Sequence, residues 1–505
     1  MHRLRLLACA LAPLAAAGAY CGGAPNPNAV PNPFAINTSA PTFLRSVANG
    51  HAYLAGTPGF QFYVNHVYGS AYDMGMAQGL LHPAELKDMV NKTWNYMVGQ
   101  VDSNLPMLPS WLAELIGEVG LELALDALID LTKPSTGAYF YEELAGLAAG
   151  AGVDRKRLER IHLIGELTQG DCSMIGAWGA ATAGGKTLQL RALDWDTDGP
   201  FREYPAVTVY HPTTPGAHPF TNVGLLGFIG TFTGQSSAQM GVSEIGVSYP
   251  DTEHFGTETF AGVPFVYLLR DVLEFDNTVF ESVQRMENAN RTCDLILGVG
   301  DGKAQTARSF AYSGSSLFVF DDKNLEPYNA TPDTWHPRFD SVVWHAMDWL
   351  CPGYVRAGRP SFARARRSRS RRLCSHPLPF PPRPCFFCSR FPWRRSSKST
   401  GGSSRHRSSS PTLLRRSRRA TCMRRCVAGR RGRRRRTCWG HQTHILRLPL
   451  CLLPNPQVYD LTDQQLYVSF MAKKSMAPGE PEMAYDRPWA QLDLNSLFAL
   501  APPAL

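Results

Sequence analysis

The order of periodic segments predicts an α+β protein in which antiparallel sheets are covered by helices. Two observations carry this prediction. Apolar spacing typical of helices dominates the first third of the chain, and short strand-like segments separated by turn residues follow it. Two more helical segments and further strands come next. Such a succession is typical of an α+β fold.

The elements are assigned in chain order. We expect an early strand at 59–67, followed by helices at 69–97, 111–131, 141–151 and 154–168. Strands at 172–178 and 187–193 form a hairpin around the turn sequence Ala183-Gly184-Gly185. Later strands are predicted at 206–211, 224–232, 241–248, 293–300, 306–312 and 316–321, with helices at 264–275 and 279–287 between them.

One segment distorts the composition of the whole chain. The 505 residues carry a formal net charge of +9, yet residues 355–457 hold 28 of the 51 Lys and Arg and no Asp or Glu. The other residues have 23 basic and 42 acidic side chains, so they form an acidic body. The segment has no apolar period and too little apolar content to fold by itself.

The ends of this basic segment are typical of splice sites. A codon for Val355 begins with GT, the residues before Gln457 can be encoded by a pyrimidine-rich tract, and CAG encodes Gln457. We therefore interpret 355–457 as a retained intron translated in frame, with strand sequence resuming at Val458. The alternative is a genuine Arg/Ser-rich arm that binds phosphate backbones, which would make nucleic acid a partner.

The first residues predict export. MHRLRLLACALAPLAAAGAY has a basic start, an apolar stretch and a small-x-small cleavage pattern, so we predict a signal peptide at 1–19. No other segment is apolar enough to span a bilayer. Glycosylation sequons, which support the secretory route, occur at Asn37, Asn91, Asn290 and Asn329. The expected location is secreted or lysosomal.

Four cysteines lie outside the signal peptide and the basic segment: Cys21, two residues after the predicted cleavage site, and Cys172, Cys293 and Cys351 in the body of the chain. The three in the body are an odd number, which in an oxidising compartment leaves one of their thiols without a partner among them. We predict a disulfide between Cys293 and Cys351, which leaves Cys172 free to react. The alternative is that all three are buried thiols.

The helix predicted at 111–131 carries an acidic stripe. Carboxylates recur every four residues at Glu114, Glu118, Glu122, Asp126 and Asp130. Like charges at this spacing repel each other, and protonation removes the repulsion. The pattern favours a core-packing helix with a solvated face. A transient, acid-favoured contact with a membrane surface is the alternative.

Two short runs concentrate the reactive side chains: Gly170-Asp171-Cys172-Ser173-Met174 and Arg191-Ala192-Leu193-Asp194. A cysteine becomes a strong nucleophile when a neighbouring base or cation favours its thiolate. The nearest upstream histidine, His162, is more typical of a core or surface residue than of a base. If the backbone breaks before Cys172, the freed α-amine, with a pKa of about 8, can serve as the base.

The run YEELAGLAAGAGV…GDCSMIGAWGAATAGGKTLQLRALDWD resembles the N-terminal-nucleophile cysteine hydrolases, in particular acid-ceramidase-like proteins and relatives of acyl-CoA:isopenicillin N acyltransferase. GSAYDMGMAQG, GFIGTFTGQSSAQMGVSE and RTCDLILGVGDG resemble other parts of the same family. The resemblance covers residues 58–352 and the tail from Val458. It implies a four-layer αββα sandwich, with a helical N-terminal part at 20–171 (a propeptide or an α-chain) and a catalytic core at 172–354 plus 458–505.

The resemblance also implies roles for the reactive residues. Self-cleavage between Asp171 and Cys172 would make Cys172 the N-terminal nucleophile. Arg191 would position it and polar substrate atoms, and Asp194 would hold the α-ammonium group. Residues three apart in a regular strand point to opposite faces, so Arg191 and Asp194 share a site only if the strand ends or bulges by Leu193.

The predicted site also needs a hydrogen-bond donor for the oxyanion. The family uses an asparagine on a later strand, and the nearest matching positions here are Asp294 and Ser236. An ionised Asp294 cannot donate a hydrogen bond, so it needs a raised pKa or a replacement such as a backbone N–H. The alternative is that Asp294 is only a strand-end residue.

These observations and the resemblance together lead to one expectation. The chain would be a self-processing cysteine amidohydrolase that forms an acyl-thioester on Cys172 and cleaves N-acyl amides, with lipid amides as the implied substrates. We expect no metal and no other cofactor. Phospholipase B-like and acyltransferase activities remain open because they use the same nucleophile. A catalytically inactive, secreted binding protein is the alternative of another class.

Overall fold

The computed structural model describes residues 32–104, 113, 116–117, 119–167, 171–195, 199–247, 249, 252–257, 259–324, 339–346, 452–473 and 483–504. Outside the described residues lie the predicted signal peptide, Glu114, Glu118, Asn329, Cys351 and all but the last six residues of the basic segment. The side chains of Asp171 and Asp194 lie outside them too, although both backbones are described. The predictions that depend on these groups stay predictions.

Most helices lie in an N-terminal group and a central group. The N-terminal group is α1 (Ala71–Leu81), α2 (Pro83–Asn104), α3 (Leu121–Thr132), α4 (Ala138–Ala151), α5 (Arg155–Ile161) and α6 (Ile164–Leu167). The central group is α7 (Thr252–Phe255), α8 (Phe265–Phe275) and α9 (Val279–Asn288), and a short α10 (Leu494–Phe498) lies near the C-terminus. Within the described part of the chain, no helix combines the length and the apolarity needed to cross a bilayer.

Ten strands form the larger sheet, in the order β1-β2-β3-β6-β7-β8-β9-β10-β11-β12. All neighbours are antiparallel except β3 and β6, which are parallel. The strands are β1 (Thr42–Val47), β2 (Gly50–Ala55), β3 (Phe62–Gly69), β6 (Pro205–Pro212), β7 (Phe220–Leu225), β8 (Gly234–Ser236), β9 (Met240–Gly246), β10 (Leu295–Asp301), β11 (Thr306–Tyr312) and β12 (Leu317–Phe320).

Six antiparallel strands form the smaller sheet, in the order β13-β4-β5-β14-β15-β16. They are β4 (Asp171–Gly179), β5 (Gly185–Trp195), β13 (Val342–Ala346), β14 (Leu452–Asp460), β15 (Gln465–Val468) and β16 (Ala490–Asp493). The predicted hairpin therefore lies inside this sheet, between β13 and β14. β14 begins six residues before Val458, so the predicted end of the basic segment, Gln457, lies inside a strand that pairs with β5.

The two sheets pack face to face, and helices cover the far side of the larger one. Alternate residues of β10 show the division: Leu295, Leu297 and Val299 belong to the core under the helices, whereas Ile296 belongs to the core shared with β4. Helices and sheets thus make a mixed α+β structure. A helical layer on the outer face of the smaller sheet, which a four-layer sandwich requires, is not among the described elements.

Glycines allow α1 and α4 to pack in close contact. A Cβ atom on Gly75 would lie 2.0 Å from the carbonyl oxygen of Glu143, and one on Gly146 would lie 2.1 Å from that of Tyr72. Such distances are well below van der Waals contact, so any larger residue would push the helices apart. This contact explains the small residues in GMAQG and AGLAAG.

Several predicted elements differ from the structure. The N-terminal part is not wholly helical, because β1, β2 and β3 join the larger sheet. The helix expected at 69–97 is two helices, because Pro83 lacks an N–H and begins a new one after His82. The strand expected at 224–232 is wrong. β7 ends at Leu225, and the apolar run that follows is a buried loop, which apolar content alone does not distinguish from a buried strand.

The acidic stripe of α3 is partly paired. Arg160 of α5 donates to Glu122 at 2.8 Å and to Asp126 at 2.9 Å. Hydrogen bonds from Arg160 lower the pKa of Asp126 against the opposing effect of burial. Leu123 and Leu131 on the same helix are exposed. The paired carboxylates hold α3 against α5, and contact with a membrane stays a prediction.

Candidate functional site

The hairpin places Cys172 and Arg191 on the face of the smaller sheet that meets the larger one. Cys172 pairs with Leu193, and Met174 pairs with Arg191. Directly paired residues share a face, and so do residues two apart in one strand. Met174 lies against Ser243 of β9, which shows that this face is the inner one. Cys172 is fully buried there.

The guanidinium of Arg191 joins the thiol to a carboxylate. Its Nη2 donates to Cys172 Sγ at 3.1 Å and to Glu244 Oε2 at 2.7 Å. Its Nη1 donates to Thr233 Oγ1 at 3.1 Å, and its Nε to the Glu244 carbonyl at 3.4 Å. All four groups are buried. The thiol and the carboxylate therefore share one buried cation.

Glu244 reaches Arg191 at a place where the larger sheet is incomplete. It pairs with Leu297, so its backbone position belongs to the helix-covered face. β8 pairs with β9 only at Val242 and Gly241, and it has no partner for Glu244. Because the neighbouring strand is missing at this level, the guanidinium can approach both the carboxylate and the carbonyl of Glu244. The late start of β8, at Gly234, is therefore part of the site.

Burial and charge act in opposite directions on this pair. Burial alone would lower the pKa of Arg191, but Cys172 and Glu244 raise it above its ordinary value. Burial raises the pKa of Glu244, and Arg191 opposes that rise. A fixed guanidinium at 3.1 Å from the sulfur favours the thiolate over the thiol. Such a contact can activate a thiol without a histidine.

The backbone of Asp194 is also close to the cleavage point that we predict. Asp171 pairs with Asp194 in the same regular register that pairs Cys172 with Leu193. β5 runs on to Trp195, so it does not end by Leu193, and the bulge at this level lies in β14, between Leu452 and Asn455. The strand thus lacks the break that we required for Arg191 and Asp194 to share one face. The role of the Asp194 carboxylate stays a prediction.

Among the described residues, neither predicted oxyanion residue donates a hydrogen bond from its side chain. Asp294 Oδ2 accepts from the Tyr249 N–H at 2.9 Å. Burial raises the pKa of Asp294 to about 6 against this hydrogen bond, so the residue is protonated under mildly acidic conditions. Ser236 pairs with Phe220, on the helix-covered face, and its hydroxyl has no hydrogen-bond partner among the described residues. The structure gives Ser236 no link to Cys172.

The other predicted residues lie away from Cys172. Asn37 donates to Thr57, Asn91 accepts from Arg157 and Asn290 donates to Ser135, so each sequon amide has a protein contact. Cys293 is buried, and its pairing with Cys351 stays a prediction. Across the described ranges, no group of three or more His, Cys, Asp or Glu is arranged to hold a metal ion.

Sequence reasoning missed Glu244 and Thr233. Glu244 had a signal, because it is a carboxylate in the middle of a strand whose seven residues are all buried. Charged residues are rarely buried without a partner, so such a position predicts a buried cation opposite it. Thr233 had no signal, because it follows an apolar run that reads as a strand. Its position depends on how the loop before β8 folds.

The chain is similar to two proteins of Dictyostelium discoideum. It is 35% identical to protein dcd1A over 339 residues, which are 64% of this chain and 74% of that protein. It is 36% identical to protein dcd1B over 316 residues, which are 62% of each. The chain therefore spans less than two thirds of the length of dcd1B. No family model matches it.

Two solved structures show a weaker likeness. The Caenorhabditis elegans ortholog of N-acylethanolamine-hydrolyzing acid amidase is 16% identical, with a TM-score of 0.24, over 35% of this chain and 69% of that one. Penicillin V acylase from Agrobacterium tumefaciens is 12% identical, with a TM-score of 0.26, over 64% of this chain and 92% of that one. Scores this low do not establish a shared fold.

Proposed function

Because the chain belongs to the same family as protein dcd1A of Dictyostelium discoideum, and because its Cys172 thiol contacts a buried guanidinium, we propose that it is a self-processing cysteine amidohydrolase. The contact of Cys172 with Arg191 is the observation that carries the proposal. A buried arginine costs stability unless it is paired, and Arg191 divides its donors between the thiol and a carboxylate. A role in activating the Cys172 thiol explains the burial of Arg191 better than core packing does.

Self-cleavage is the first proposed reaction. The sulfur of Cys172 attacks the carbonyl carbon of Asp171, a C–S bond forms and the C–N bond between the two residues breaks. The thiol proton passes to the nitrogen, which becomes the α-amine of Cys172. Water then adds to the thioester and the C–S bond breaks. The products are a carboxylate on Asp171 and a free N-terminal cysteine.

Turnover repeats this chemistry on a substrate amide. The sulfur of Cys172 attacks the amide carbonyl, and the α-amine carries the thiol proton to the leaving nitrogen, which departs as an amine. The acyl group stays on sulfur until water, activated by the same α-amine, releases it as a carboxylic acid. Arg191, still held by Glu244, favours the reactive form of the sulfur in the first step and stabilises the departing thiolate in the second.

We further propose that the substrates are N-acyl amides of lipids and that the protein acts in the secretory pathway, either secreted or in the lysosome. The resemblance to acid-ceramidase-like proteins supports the substrate class. The sequons and the exported-type start of the sequence support the location. A transient contact with a membrane surface would bring such substrates to the site.

Intact mass and N-terminal sequencing of purified protein test the proposal. We expect two fragments, the second beginning at Cys172. The Cys172→Ala variant should remain one chain and should release no fatty acid from an N-acyl amide such as ceramide. Ser173→Ala, next to the nucleophile, is the matched control and should be cleaved like the wild type. A single chain that is fully active would disprove the proposal.

The same material separates the alternatives. Release of more fatty acid from a phospholipid than from ceramide would favour a phospholipase B-like activity. Transfer of the acyl group to an added amine would favour an acyltransferase. A wild-type Cys172 that neither cleaves the chain nor reacts with iodoacetamide would indicate a non-catalytic binding protein.

A further inference from the structure

Residues 226–233 form a loop between β7 and β8 that lies inside the protein and not on its surface. Its sequence is LGFIGTFT, and most of its residues are buried. Gly227 has a φ of +78°, and a Cβ there would lie 2.5 Å from Leu86. A larger residue would be both strained and obstructed at this position. This conformation of the loop therefore requires a glycine at position 227.

Two side chains of the N-terminal part anchor this loop. Gln78 of α1 accepts from the Gly227 N–H at 2.9 Å. His162, which follows α5, accepts from the Ile229 N–H through Nε2 at 2.9 Å. Its Nδ1 lies 2.7 Å from the Leu158 carbonyl, so Nδ1 carries the proton and the ring is neutral. Burial lowers the pKa of His162 to about 4, which keeps this form at ordinary pH.

A third anchor comes from a buried ion pair. Arg270 of α8 donates to the Ile229 carbonyl at 3.1 Å and to Glu143 of α4 at 2.6 Å. Asn222 of β7 donates to the carbonyls of Phe228 and Gly230. The backbone N–H and the carbonyl of Ile229 are thus both bound by side chains. Two of the anchors, and the carboxylate that fixes Arg270, belong to the chain before Cys172.

The far end of the loop contacts the site. Thr233 accepts from Arg191 Nη1 at 3.1 Å, and the Phe232 ring centre lies 5.9 Å from the guanidinium carbon. Phe232 stacks on Phe228 at 4.8 Å, and Phe228 stacks on His162 at 4.7 Å. A continuous set of packed groups therefore leads from His162 to Arg191, and from there to Cys172 Sγ.

We propose that the N-terminal part of the chain, through Gln78, His162 and Glu143, acts as a positioning element for Arg191 by fixing the 226–233 loop. This inference rests on the proposed function and goes further than it. In this proposal, the fragment before Cys172 keeps a role after cleavage. It keeps the guanidinium beside the sulfur during turnover, so the mature site is shared between the two fragments.

His162 offers the sharpest test, because its ring touches neither Cys172 nor Arg191 in this arrangement. His162→Phe keeps the ring that stacks on Phe228 and removes the acceptor for the Ile229 N–H. His162→Gln places an amide oxygen near the position of Nε2 and restores the acceptor. Thr233→Val removes the contact between the loop and Arg191 while keeping the size of the side chain. His82→Phe is the matched control, because His82 is a buried histidine of the same part whose hydrogen bond goes to Asn65.

The measurement is the rate at which iodoacetamide alkylates the N-terminal Cys172 of cleaved protein, between pH 5 and pH 9. A loosened guanidinium favours the thiolate less, so we expect the profile of His162→Phe to move to higher pH by about one unit, with a rate at pH 6.5 about tenfold lower. Thr233→Val should shift the alkylation profile in the same direction and by a similar amount. His162→Gln should recover most of the wild-type alkylation rate. His82→Phe should match the wild type within about twofold even if it melts earlier.

Two results are distinguishable. If intact mass shows that the wild type is never cleaved, the proposed function fails and this inference fails with it. If the wild type is cleaved but His162→Phe and Thr233→Val keep its alkylation profile, the positioning role alone is wrong. A shift of equal size in His82→Phe would also overturn it, because general loosening would then explain the effect. Thr233→Val decides the question if the His162 variants do not fold.

Discussion

At the scale of single residues, the central feature is a buried arginine shared by a thiol and a carboxylate. Arg191, Cys172 and Glu244 have almost no exposed surface, so water cannot replace a lost contact. Removing one member of a buried ion pair leaves the other charge uncompensated, which costs about 3–5 kcal/mol for full removal. Glu244 therefore matters to stability as well as to the orientation of the guanidinium.

Glu244→Gln separates these two effects. The substitution keeps the size of the side chain and removes its charge, so we expect a loss of about 2 kcal/mol in the free energy of unfolding. Self-cleavage should slow at least tenfold, because Arg191 loses its strongest fixed partner. Urea unfolding and a time course of intact mass measure the two quantities.

Asp276→Asn is the matched control for Glu244→Gln. Asp276 is also buried and accepts from an arginine, Arg285, at 2.6 Å, but it lies at the junction of α8 and α9. It should lose similar stability and keep the wild-type rate of cleavage. Equal slowing in both variants would mean that Glu244 acts only through stability.

At the scale of elements, α8 depends on a carboxylate from another helix. Its N-cap is Pro264, which makes no side-chain cap. Glu166 of α6 supplies the missing acceptor, because its Oε1 takes the Phe265 N–H at 2.8 Å. Burial raises the pKa of Glu166 to about 7, while hydrogen bonds from Thr292, Phe265 and Cys293 oppose the rise. This cap is therefore protonated in an acidic medium.

The raised pKa of Glu166 predicts how stability changes with pH. The folded state binds the proton more tightly than the unfolded state, in which the pKa of this carboxyl is near its ordinary value of 4.5. Its contribution is complete below about pH 4.5 and is lost as pH rises through about 7. Glu166→Gln should remove this loss, which is on the order of 3 kcal/mol.

Urea unfolding at pH 5 and pH 7.5 gives the free energy of unfolding of Glu166→Gln and of the wild type. The variant should gain stability relative to the wild type between pH 5 and pH 7.5. Glu287→Gln, an exposed carboxylate on α9, is the control and should leave the pH dependence unchanged. If the difference between Glu166→Gln and the wild type is the same at both pH values, Glu166 does not titrate in this range.

At the scale of the whole molecule, the parts before and after Cys172 share one sheet and one core. β3 pairs with β6 from Tyr63 to Gly69, and Asn37 forms a bridge with Ala490. Glu143 and Arg270 form a fully buried ion pair across the division. The core under the helices contains residues of α1, α4, α8 and β10. Separating the two parts would expose all of these groups to water.

We therefore expect the two fragments to stay together after cleavage. On size-exclusion chromatography in native buffer they should elute as one species, and they should separate only in denaturant. Two separately encoded chains, 20–171 and 172–505, test the association without relying on self-cleavage. They should be soluble when co-expressed and poorly soluble alone, because each would expose a core face. Elution as two independent soluble species would contradict this expectation.

How much was predictable depends on whether the signal is local. The hairpin of β4 and β5 follows from alternating residues around Ala183-Gly184-Gly185, and it brings Cys172 and Arg191 to one face. The break at Pro83 also had a local cause, which the apolar spacing concealed. By contrast, the 226–233 run is as apolar as a buried strand. Only its distant hydrogen-bond partners make it a loop.

The hairpin, the mixed α+β class and Cys172 as the candidate nucleophile follow from the sequence alone, because these depend on residues close together in the chain. The partners of Arg191 follow only from the way the chain packs. Glu244 and Thr233 are more than forty residues away along the chain, and they reach the guanidinium because β8 begins only at Gly234 and two sheets pack face to face. A buried charge must be paired, but the identity of its partner depends on the packing of distant elements.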